Sequence, residues 1–244
     1  MTERMFVEAG IGGDLRVLDI GCGLGDVSFL LSKLLSDKAQ IVGVDSNESI
    51  LEIARERAKE EQISNIAFEA IDLSSIPKTL GTFDAIVGRR VLMYLPKPAE
   101  TISALANMLV PGGRFAFQEH DATMTPGRTA AFPLHDRLHR WMWETVRREG
   151  GNPHLGFDLW TLISDAELKV ENIRAQGIVI TPSFSHPLAN IARAMLPRFL
   201  EHNVATEEEI DIDTLESRLA EEMTSANTTY VTDMAFCVWG RKAE

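Results

Sequence analysis

Cysteine is scarce in this sequence. There are only two, Cys22 and Cys237, and their separation matches neither a disulfide framework nor the spacing of a metal site. This shortage excludes a small secreted domain held together by disulfides. It predicts a reducing, cytoplasmic setting, and it gives no reason to expect a metal centre.

Positive charge is also in short supply. Lysine and arginine together number 24 against 36 aspartates and glutamates, so the formal net charge at pH 7 is −12. The average field repels phosphate backbones and anionic lipid surfaces, so we expect neither a nucleic acid nor a membrane as a partner. Long apolar runs are missing too, both where a signal peptide and where a membrane span would need one. We therefore expect a soluble protein.

The first half of the sequence contains a regular alternation of short apolar runs with amphipathic segments. This pattern is typical of a parallel sheet with crossover helices. The apolar runs predict strands at residues 16–20, 40–44, 66–71, 83–87 and 114–118. We therefore predict an α/β fold with a doubly wound, Rossmann-like sheet and right-handed crossovers. The length of 244 residues suits one large domain with an elaboration.

In the second half, helical periodicity dominates. We divide the chain into a cofactor-binding α/β core over residues 1–120, mostly helical elements over 121–229, and a final core strand within 230–244. The middle segment is expected to cap the core and bind substrate. It also contributes one strand of the core sheet, near 173–180. Helices are predicted at 134–149, 158–168, 188–203 and 206–222.

Three glycines at every second position follow the first predicted strand: Gly21, Gly23 and Gly25. In an open parallel sheet, ligands bind beyond the carboxyl ends of the strands, and glycines there let a ligand approach the backbone. The alternative is a tight strand-to-helix connection without a ligand. A dinucleotide fingerprint would need glycine or alanine where Asp26 stands, and the lysine of a phosphate-binding loop is missing. We therefore expect a ligand without phosphates near this turn.

Acidic residues mark three successive strand ends. Asp19 precedes the glycines, Asp45 ends the second strand 20 residues after the last glycine, and Asp72 follows the third strand. A carboxylate at Asp45 can accept hydrogen bonds from both hydroxyls of a ribose. Asp72 could accept one from the exocyclic amine of a base. Each could instead be a cap or turn residue, although Ser46 or Asn47 can cap the next helix and leave Asp45 available.

Five segments resemble, in order and spacing, the sequence blocks of class I S-adenosylmethionine-dependent methyltransferases. They are DIGCGLG, VGVDS, AIDL, FDAIVGRRVLMYLPKP and LVPGGRFAFQEHD, within roughly residues 10–120. The resemblance implies a seven-stranded sheet whose last strand is antiparallel. A sulfonium nucleoside without phosphate suits glycines flanked by acids. Only about 14 residues precede the first strand, fewer than in many members of this family, so either the chain is trimmed or later helices close the site.

The resemblance also assigns residues to the methionine portion of S-adenosylmethionine and of its product, S-adenosylhomocysteine. Asp19 and the turn from Gly21 to Gly25, with Cys22, would surround this portion. The backbone near Gly88 and Arg89 would face its amino group.

The nucleoside portion is assigned in the same way. By the resemblance, Asp45 would bind the ribose, and Asp72 with Leu73 would contact the adenine. All the cofactor residues so predicted lie in the first 90 residues: Asp19, Gly21, Cys22, Gly23, Gly25, Asp45, Ser46, Asp72, Leu73, Gly88 and Arg89.

His120 is the candidate catalytic residue. Methyl transfer from a sulfonium is an in-line displacement on an activated donor, so alignment and exclusion of water matter most. A base is needed only where the accepting atom loses a proton. His120 follows the fifth strand and so opens onto the carboxyl edge of the sheet, although it could simply satisfy a loop. His154 and His186 fit solvated turns better.

The predicted substrate is a small, partly apolar metabolite, methylated on oxygen, nitrogen or carbon. Aromatic and sulfur side chains could wall its pocket, and of Trp141 and Trp143 one is expected in the core because they face different sides of a helix. The five are Trp141, Met142, Trp143, Phe157 and Trp160. Four arginines could pair with a substrate carboxylate, although such residues are usually just solvated: Arg89, Arg90, Arg137 and Arg140.

Three other functions compete with this one. The first is methylation of nucleic-acid bases or protein amides. Methyltransferases of that kind carry Asn-Pro-Pro-Tyr after the fourth strand, where this chain has GRRVLMY, so this function is disfavoured. A regulatory or scaffold protein could bind the cofactor without turnover. A nicotinamide-dependent oxidoreductase is disfavoured by Asp26.

Overall fold

A computed structural model describes residues 1–184 and 187–244 and divides into two compact units. The first unit comprises Met1–Glu119, Phe157–Arg174 and Phe236–Glu244. The second comprises His120–Gly156 and Ala175–Ala235. Within the described residues, no helix has both the length and the apolar character needed to cross a bilayer.

The strands are β1 (Arg16–Ile20), β2 (Gln40–Asp45), β3 (Ile66–Ala70), β4 (Phe83–Arg89), β5 (Leu109–Asp121), β6 (Gly127–Arg128), β7 (Leu168–Ile180) and β8 (Tyr230–Lys242). The helices are α1 (Thr2–Glu8), α2 (Asp26–Leu34), α3 (Glu48–Glu60), α4 (Pro98–Met108), α5 (Pro133–Arg148), α6 (Leu155–Asp165), α7 (Leu188–Glu201), α8 (Glu207–Ile210) and α9 (Leu215–Ala226). Short 3-10 turns at Lys78–Leu80 and Leu92–Tyr94 flank β4.

The strands form a sheet in the order β3-β2-β1-β4-β5-β8-β6, and β7 pairs with β8. Parallel pairs join β1 to β2, β1 to β4, β2 to β3 and β4 to β5, whereas the last strands are antiparallel. Strand order reverses between β1 and β4, and ligands of open α/β sheets bind at this switch point. The predicted doubly wound α/β fold is confirmed.

The sheet differs from the expectation in its number of strands. Among the described residues it has eight strands instead of seven. The additional strand is β6, where Gly127 pairs with Val231 and Arg128 with Tyr230 in antiparallel register. Two residues cannot show a hydrophobic period, so no sequence pattern marks this strand.

Two other elements depart from the sequence prediction. The helix expected over 206–222 is interrupted, because Asp211 adopts a left-handed conformation (φ 43°) that a right-handed helix cannot continue. The result is α8 followed by α9. Helix α1 has no predicted counterpart; it buries Met5 and Phe6, and the Thr2 hydroxyl donates to Gln118 Oε1 at 2.8 Å.

Each unit has its own apolar core. The first unit packs side chains of α1, β1, α2 and the central strands, including Phe6, Val17, Leu31, Val87 and Trp239. The second packs residues of α5, α7, α9 and the start of β8, including Phe132, Leu138, Trp141, Phe199 and Tyr230. Burial of these faces is what the helical and strand periods of the sequence encode.

Candidate functional site

The turn after β1 is built from glycines with left-handed backbone. The φ angle is 57° at Gly21, 53° at Gly23 and 84° at Gly25, and residues with a Cβ rarely adopt such values. A Cβ on Gly21 would lie 2.5 Å from Val91 Cγ2, and one on Gly25 would lie 2.8 Å from Phe68 Cζ. A Cβ on Gly23 would meet no atom of the described residues within 4 Å. The turn is therefore packed at both ends and open in its middle, where a ligand can reach the backbone.

Asp45, at the end of β2, is oriented through both of its carboxylate oxygens. Oδ2 accepts a hydrogen bond from the Gly23 amide at 3.0 Å, and Oδ1 accepts one from the Asn47 amide at 3.0 Å. The Asn47 side chain in turn caps α3, accepting from the Ile50 amide, which confirms that Ser46 or Asn47 provides the cap. Each oxygen of Asp45 has a further lone pair. Asp45 is thus fixed in place and can still accept hydrogen bonds from a diol.

A cavity with an empty volume of about 530 Å³, part of it open to solvent, lies at this edge of the sheet. Five of the predicted cofactor residues line it: Gly21, Asp45, Ser46, Asp72 and Leu73. Asp72 Oδ1 accepts from the Ser74 amide at 2.8 Å, and this hydrogen bond holds the pKa of Asp72 below its ordinary value. The structure therefore brings the predicted ribose and adenine residues together on one cavity.

Asp19 lies in β1 and is only 1% exposed. Its Oδ2 accepts from Ser28 Oγ at 2.6 Å, whereas Oδ1 is buried with no hydrogen-bond partner in the described part of the chain. Burial raises the pKa of Asp19 to about 7, although the Ser28 hydrogen bond and the Arg89 charge oppose the shift. A buried acceptor without a partner is costly. A ligand that donates an N–H to Oδ1 would remove this cost.

The end of β4 supplies the remaining backbone of the predicted site. Gly88 pairs with Ile20, and a Cβ on Gly88 would lie 2.8 Å from Ile20 Cγ1. The Arg89 side chain lies 3.6 Å from an Asp26 carboxylate oxygen. Arg90 has a left-handed φ of 59° and lines the 530 Å³ cavity. Six predicted residues are not part of that cavity's wall: Asp19, Cys22, Gly23, Gly25, Gly88 and Arg89.

Glu119, on β5, organises the segment after β4 and was not among the predicted site residues. It is fully buried, and it accepts hydrogen bonds from three successive backbone amides: Val91 at 3.1 Å, Leu92 at 2.9 Å and Met93 at 3.4 Å. Burial raises the pKa of Glu119 to about 7 although these amides favour the charged form. This carboxyl fixes the turn that contributes Val91 and Tyr94 to the cavity wall.

His120 lies in the second unit, in a buried cluster around Asp233. Asp233 Oδ2 is 3.5 Å from His120 Nδ1, and Asp233 Oδ1 is 3.2 Å from His139 Nε2. Trp143 Nε1 donates to the same Oδ1 at 2.9 Å. Burial by itself would raise the pKa of Asp233, but the hydrogen bonds from the two histidines outweigh it and hold the pKa well below its ordinary value. Asp233 is therefore a charged anchor that orients both imidazole rings.

The other histidines considered from the sequence have different surroundings. His154 is exposed, with Nδ1 2.8 Å from Thr123 Oγ1. His186 lies outside the described residues. Among the candidate pocket aromatics, Trp141 and Met142 belong to the core of the second unit, which confirms that one of the two tryptophans is core. Phe157 and Trp160 lie in the first unit and are 52% and 56% exposed.

A family model described as a methyltransferase domain matches residues 11–154, more than half of the chain. The chain belongs to this methyltransferase family. Membership confirms the resemblance to methyltransferases that the sequence blocks carry.

Two curated relatives of this chain have names that refer to quinones. The demethylmenaquinone methyltransferase of Lactococcus lactis is 32% identical over 121 residues, which cover 50% of this chain and 48% of the relative. The ubiquinone biosynthesis O-methyltransferase of Coxiella burnetii is 36% identical over 103 residues, which cover 42% of each chain. The alignments thus span about half the length of these relatives or less.

Solved structures share the fold of this methyltransferase over its whole length. A crystal structure from Bacillus halodurans has a TM-score of 0.67 at 17% identity and covers 100% of this chain and 99% of that one. The N-methyltransferase NodS of Bradyrhizobium japonicum, in complex with S-adenosyl-l-homocysteine, has a TM-score of 0.58 at 17% identity, with 100% and 84% covered. At such identities the likeness shows the fold alone.

Proposed function

We propose that the protein transfers a methyl group from S-adenosylmethionine to an oxygen, nitrogen or carbon atom of a small, partly apolar metabolite. One observation carries the proposal: strand-end residues of a methyltransferase-family sheet, Asp45 and Asp72 among them, converge on one cavity. The relatives' names, which refer to quinone biosynthesis, favour a small-molecule acceptor. The net charge of −12 favours it over a nucleic acid, and a cytoplasmic location remains part of this proposal.

The first unit holds the cofactor in this proposal. Asp45 accepts hydrogen bonds from the ribose hydroxyls with the lone pairs that Gly23 and Asn47 leave available. Asp72 accepts from the adenine amine, and Leu73 contacts the ring. Asp19 Oδ1 accepts from the methionine ammonium, which would give this buried oxygen a partner.

The remaining predicted cofactor residues act through the backbone and its shape. The open side of Gly23 lets the methionine chain approach, and Gly21, Cys22 and Gly25 complete the turn. The backbone at Gly88 and Arg89 faces the ammonium group. When bound, the sulfonium supplies an activated methyl group, so the chain's own work is alignment and exclusion of water.

The charges of the site favour this ligand over a dinucleotide. The cavity wall contains two carboxylates, those of Asp45 and Asp72, and one guanidinium, that of Arg90. Asp26 adds a further acidic residue at the start of α2, next to the glycine turn. Negative charge at the start of a helix opposes a diphosphate there and suits a cation. A nicotinamide cofactor is thus disfavoured.

We further propose that elements within 121–229 bind the acceptor and that His120 takes up its proton where one must be lost. Asp233 supports this role, because a buried carboxylate 3.5 Å from Nδ1 orients the ring.

Calorimetric titration and a product assay test the proposed function. S-adenosylmethionine should bind and NAD should not, and mass spectrometry should detect S-adenosylhomocysteine only when a methyl acceptor from a metabolite panel is present. Binding of NAD without S-adenosylmethionine would overturn the proposal in favour of an oxidoreductase. Binding of S-adenosylmethionine without transfer to any acceptor would favour a scaffold protein.

A further inference from the structure

A second cavity, of about 960 Å³, lies wholly within the second unit. One face of α5 forms much of its wall, with contributions from β6 and from residues 122–126 and 153–154. The lining residues of α5 recur at helical spacing, which places them on one side of the helix: Asp136, His139, Arg140, Trp143, Glu144 and Arg147.

The arginines of this cavity are not equivalent. Arg128 lies 2.7 Å from an Asp136 carboxylate oxygen, and Arg147 makes a bidentate pair with Glu144 at 2.6 and 2.8 Å. Arg140 is exposed to the cavity and has no carboxylate or carbonyl partner within the ranges that the structure describes. The carboxylates of the wall therefore pair with its other two arginines. The guanidinium of Arg140 is available to an anion from solution, in a chain whose overall charge is negative.

Two further groups of the wall are fixed in orientation. The Trp143 N–H donates to Asp233 Oδ1 at 2.9 Å, so the indole is held while its flat apolar surface lines the cavity. His139 Nε2 lies 3.2 Å from the same carboxylate oxygen. Trp143 Nε1 also lies 3.1 Å from His139 Nε2, so Asp233 and Trp143 occupy that nitrogen and Nδ1 is the ring nitrogen left for a ligand. Arg140 and Trp143 are three residues apart on α5 and are therefore surface neighbours.

We propose that this cavity binds a small aromatic acid that carries a hydroxyl group. Its carboxylate pairs with the guanidinium of Arg140, which matches a carboxylate in a bidentate manner. Its ring lies against the Trp143 indole, and its hydroxyl forms a hydrogen bond with His139 Nδ1. The inference is independent of the proposed function, because the cavity would bind this acid whether or not the acid accepts a methyl group.

Calorimetric titration of the whole protein with 4-hydroxybenzoate, benzoate and phenol tests the inference. We expect 4-hydroxybenzoate to bind, and benzoate and phenol to bind more weakly because each lacks one of the two polar groups. Arg140→Gln should weaken 4-hydroxybenzoate binding about 10-fold or more, since it removes a charge-assisted hydrogen-bond pair. Arg137→Gln is the matched control, because Arg137 is exposed on the same helix but does not line the cavity.

Three results would each overturn the inference. They are equal affinities of Arg140→Gln and Arg137→Gln, equal affinities of phenol and 4-hydroxybenzoate, and no binding of 4-hydroxybenzoate to the unmodified protein. Circular dichroism of both variants verifies that they fold. Failure of the proposed function looks different: 4-hydroxybenzoate binds through Arg140, but S-adenosylmethionine does not bind or no methyl group is transferred. Methyl transfer to other acceptors with no binding of aromatic acids would leave the function standing and remove this inference.

Discussion

Asp45 and Asp19 are carboxylates of neighbouring strand segments whose surroundings differ. Asp45 accepts one backbone amide on each oxygen, so its orientation is fixed before any ligand arrives. Asp19 accepts a hydrogen bond from the Ser28 hydroxyl on one oxygen and leaves its other, buried oxygen without a partner among the described residues. Removing Asp45 therefore removes an ordered acceptor, whereas neutralising Asp19 removes a charge that a cationic ligand would compensate.

Asp45→Ala should weaken binding of S-adenosylmethionine by about 1 to 3 kcal/mol, because the ribose hydroxyls lose their acceptor on binding. This corresponds to a roughly 5-fold to 150-fold rise in Kd, measured by calorimetry. Asp37→Ala, at an exposed position before β2, is the control and should bind as the unmodified protein does. Equal affinity of Asp45→Ala and this control would discredit the ribose assignment.

The affinity for S-adenosylmethionine should rise between pH 6 and pH 7.5, roughly the interval in which Asp19 ionises, because its pKa is about 7. An ionised Asp19 attracts the ligand's ammonium group more strongly than a protonated one. Asp19→Asn should bind more weakly and should lose this component of the pH dependence. Calorimetry at several pH values measures both effects, and an unchanged pH dependence in Asp19→Asn would remove the carboxylate from the ammonium site.

His120→Ala should lower turnover much more than it lowers cofactor affinity, by a factor on the order of 100 or more if an acceptor proton must be removed. Binding of S-adenosylhomocysteine, measured by calorimetry, should be nearly unchanged. His202→Ala is the control, since His202 pairs with Glu149 on the surface of the same unit. Unchanged turnover in His120→Ala would exclude His120 from proton transfer.

At the scale of elements, the 3-10 turn after β4 depends on one side chain. Glu119 accepts hydrogen bonds from the backbone amides of Val91, Leu92 and Met93. These amides lie at the start of the turn, where no preceding helical turn provides carbonyl acceptors for them. The turn positions part of the cofactor cavity's wall. A buried carboxyl on β5 thus determines the shape of a loop that follows β4.

Glu119→Ala should destabilise the fold by several kcal/mol, since each unpaired buried amide costs about 1 to 3 kcal/mol. Urea denaturation should show a lower midpoint with little change in slope. Glu100→Ala is the control: Glu100 is an exposed residue that pairs with Lys97, and such surface pairs contribute little. Equal midpoints for the two variants would mean that water or a rearranged loop satisfies these amides.

Elements differ in how far the sequence determines them. β1, β2, β4 and β5 were predictable because parallel strands inside the sheet are buried on both faces and therefore appear as apolar runs. α1 was not, because seven residues are too few for a helical period and the helix depends on the burial of Met5 and Phe6. The break at Asp211 depends on one backbone conformation that no period reveals.

The residues of the candidate site also differ in whether the sequence predicts them. The glycines and aspartates of the cofactor site were predictable because they lie at strand ends, where topology gathers them whatever the rest of the chain does. Glu119 and Asp233 were not, because their partners are distant in sequence: Glu119 binds amides 26 to 28 residues away, and Asp233 binds a histidine 94 residues away. Only packing brings such residues together.

On the scale of the whole molecule, this negatively charged chain buries two of its acidic side chains, and burial raises their pKa. The chain has a formal charge of −12, and its first unit nevertheless buries Asp19 and Glu119, both with a pKa of about 7. Desolvation is the largest cause of both shifts. The folded state therefore retains protons on these groups that the unfolded chain, with ordinary carboxyl pKa values, releases near pH 4.

The contribution of Asp19 to folding should fall as pH rises. Between its unfolded pKa near 4 and its folded pKa of about 7, the folded state binds more protons than the unfolded state, so the free energy of unfolding decreases with pH. The contribution is fully present below pH 4 and is lost above pH 7. Asp19→Asn stays neutral throughout, so its stability relative to the unmodified protein should increase from pH 4 to pH 7 and then level off.

Urea denaturation of both proteins at intervals across this range measures the difference, and any constant effect of the substitution itself cancels from its slope. Asp37→Asn, at an exposed position, should show no such slope. A difference that stays constant from pH 4 to pH 8 would mean that Asp19 titrates in the fold as it does in the unfolded chain, and that water or a neighbour reaches its second oxygen. The ammonium of the cofactor would then have no unsatisfied acceptor to fill at that position.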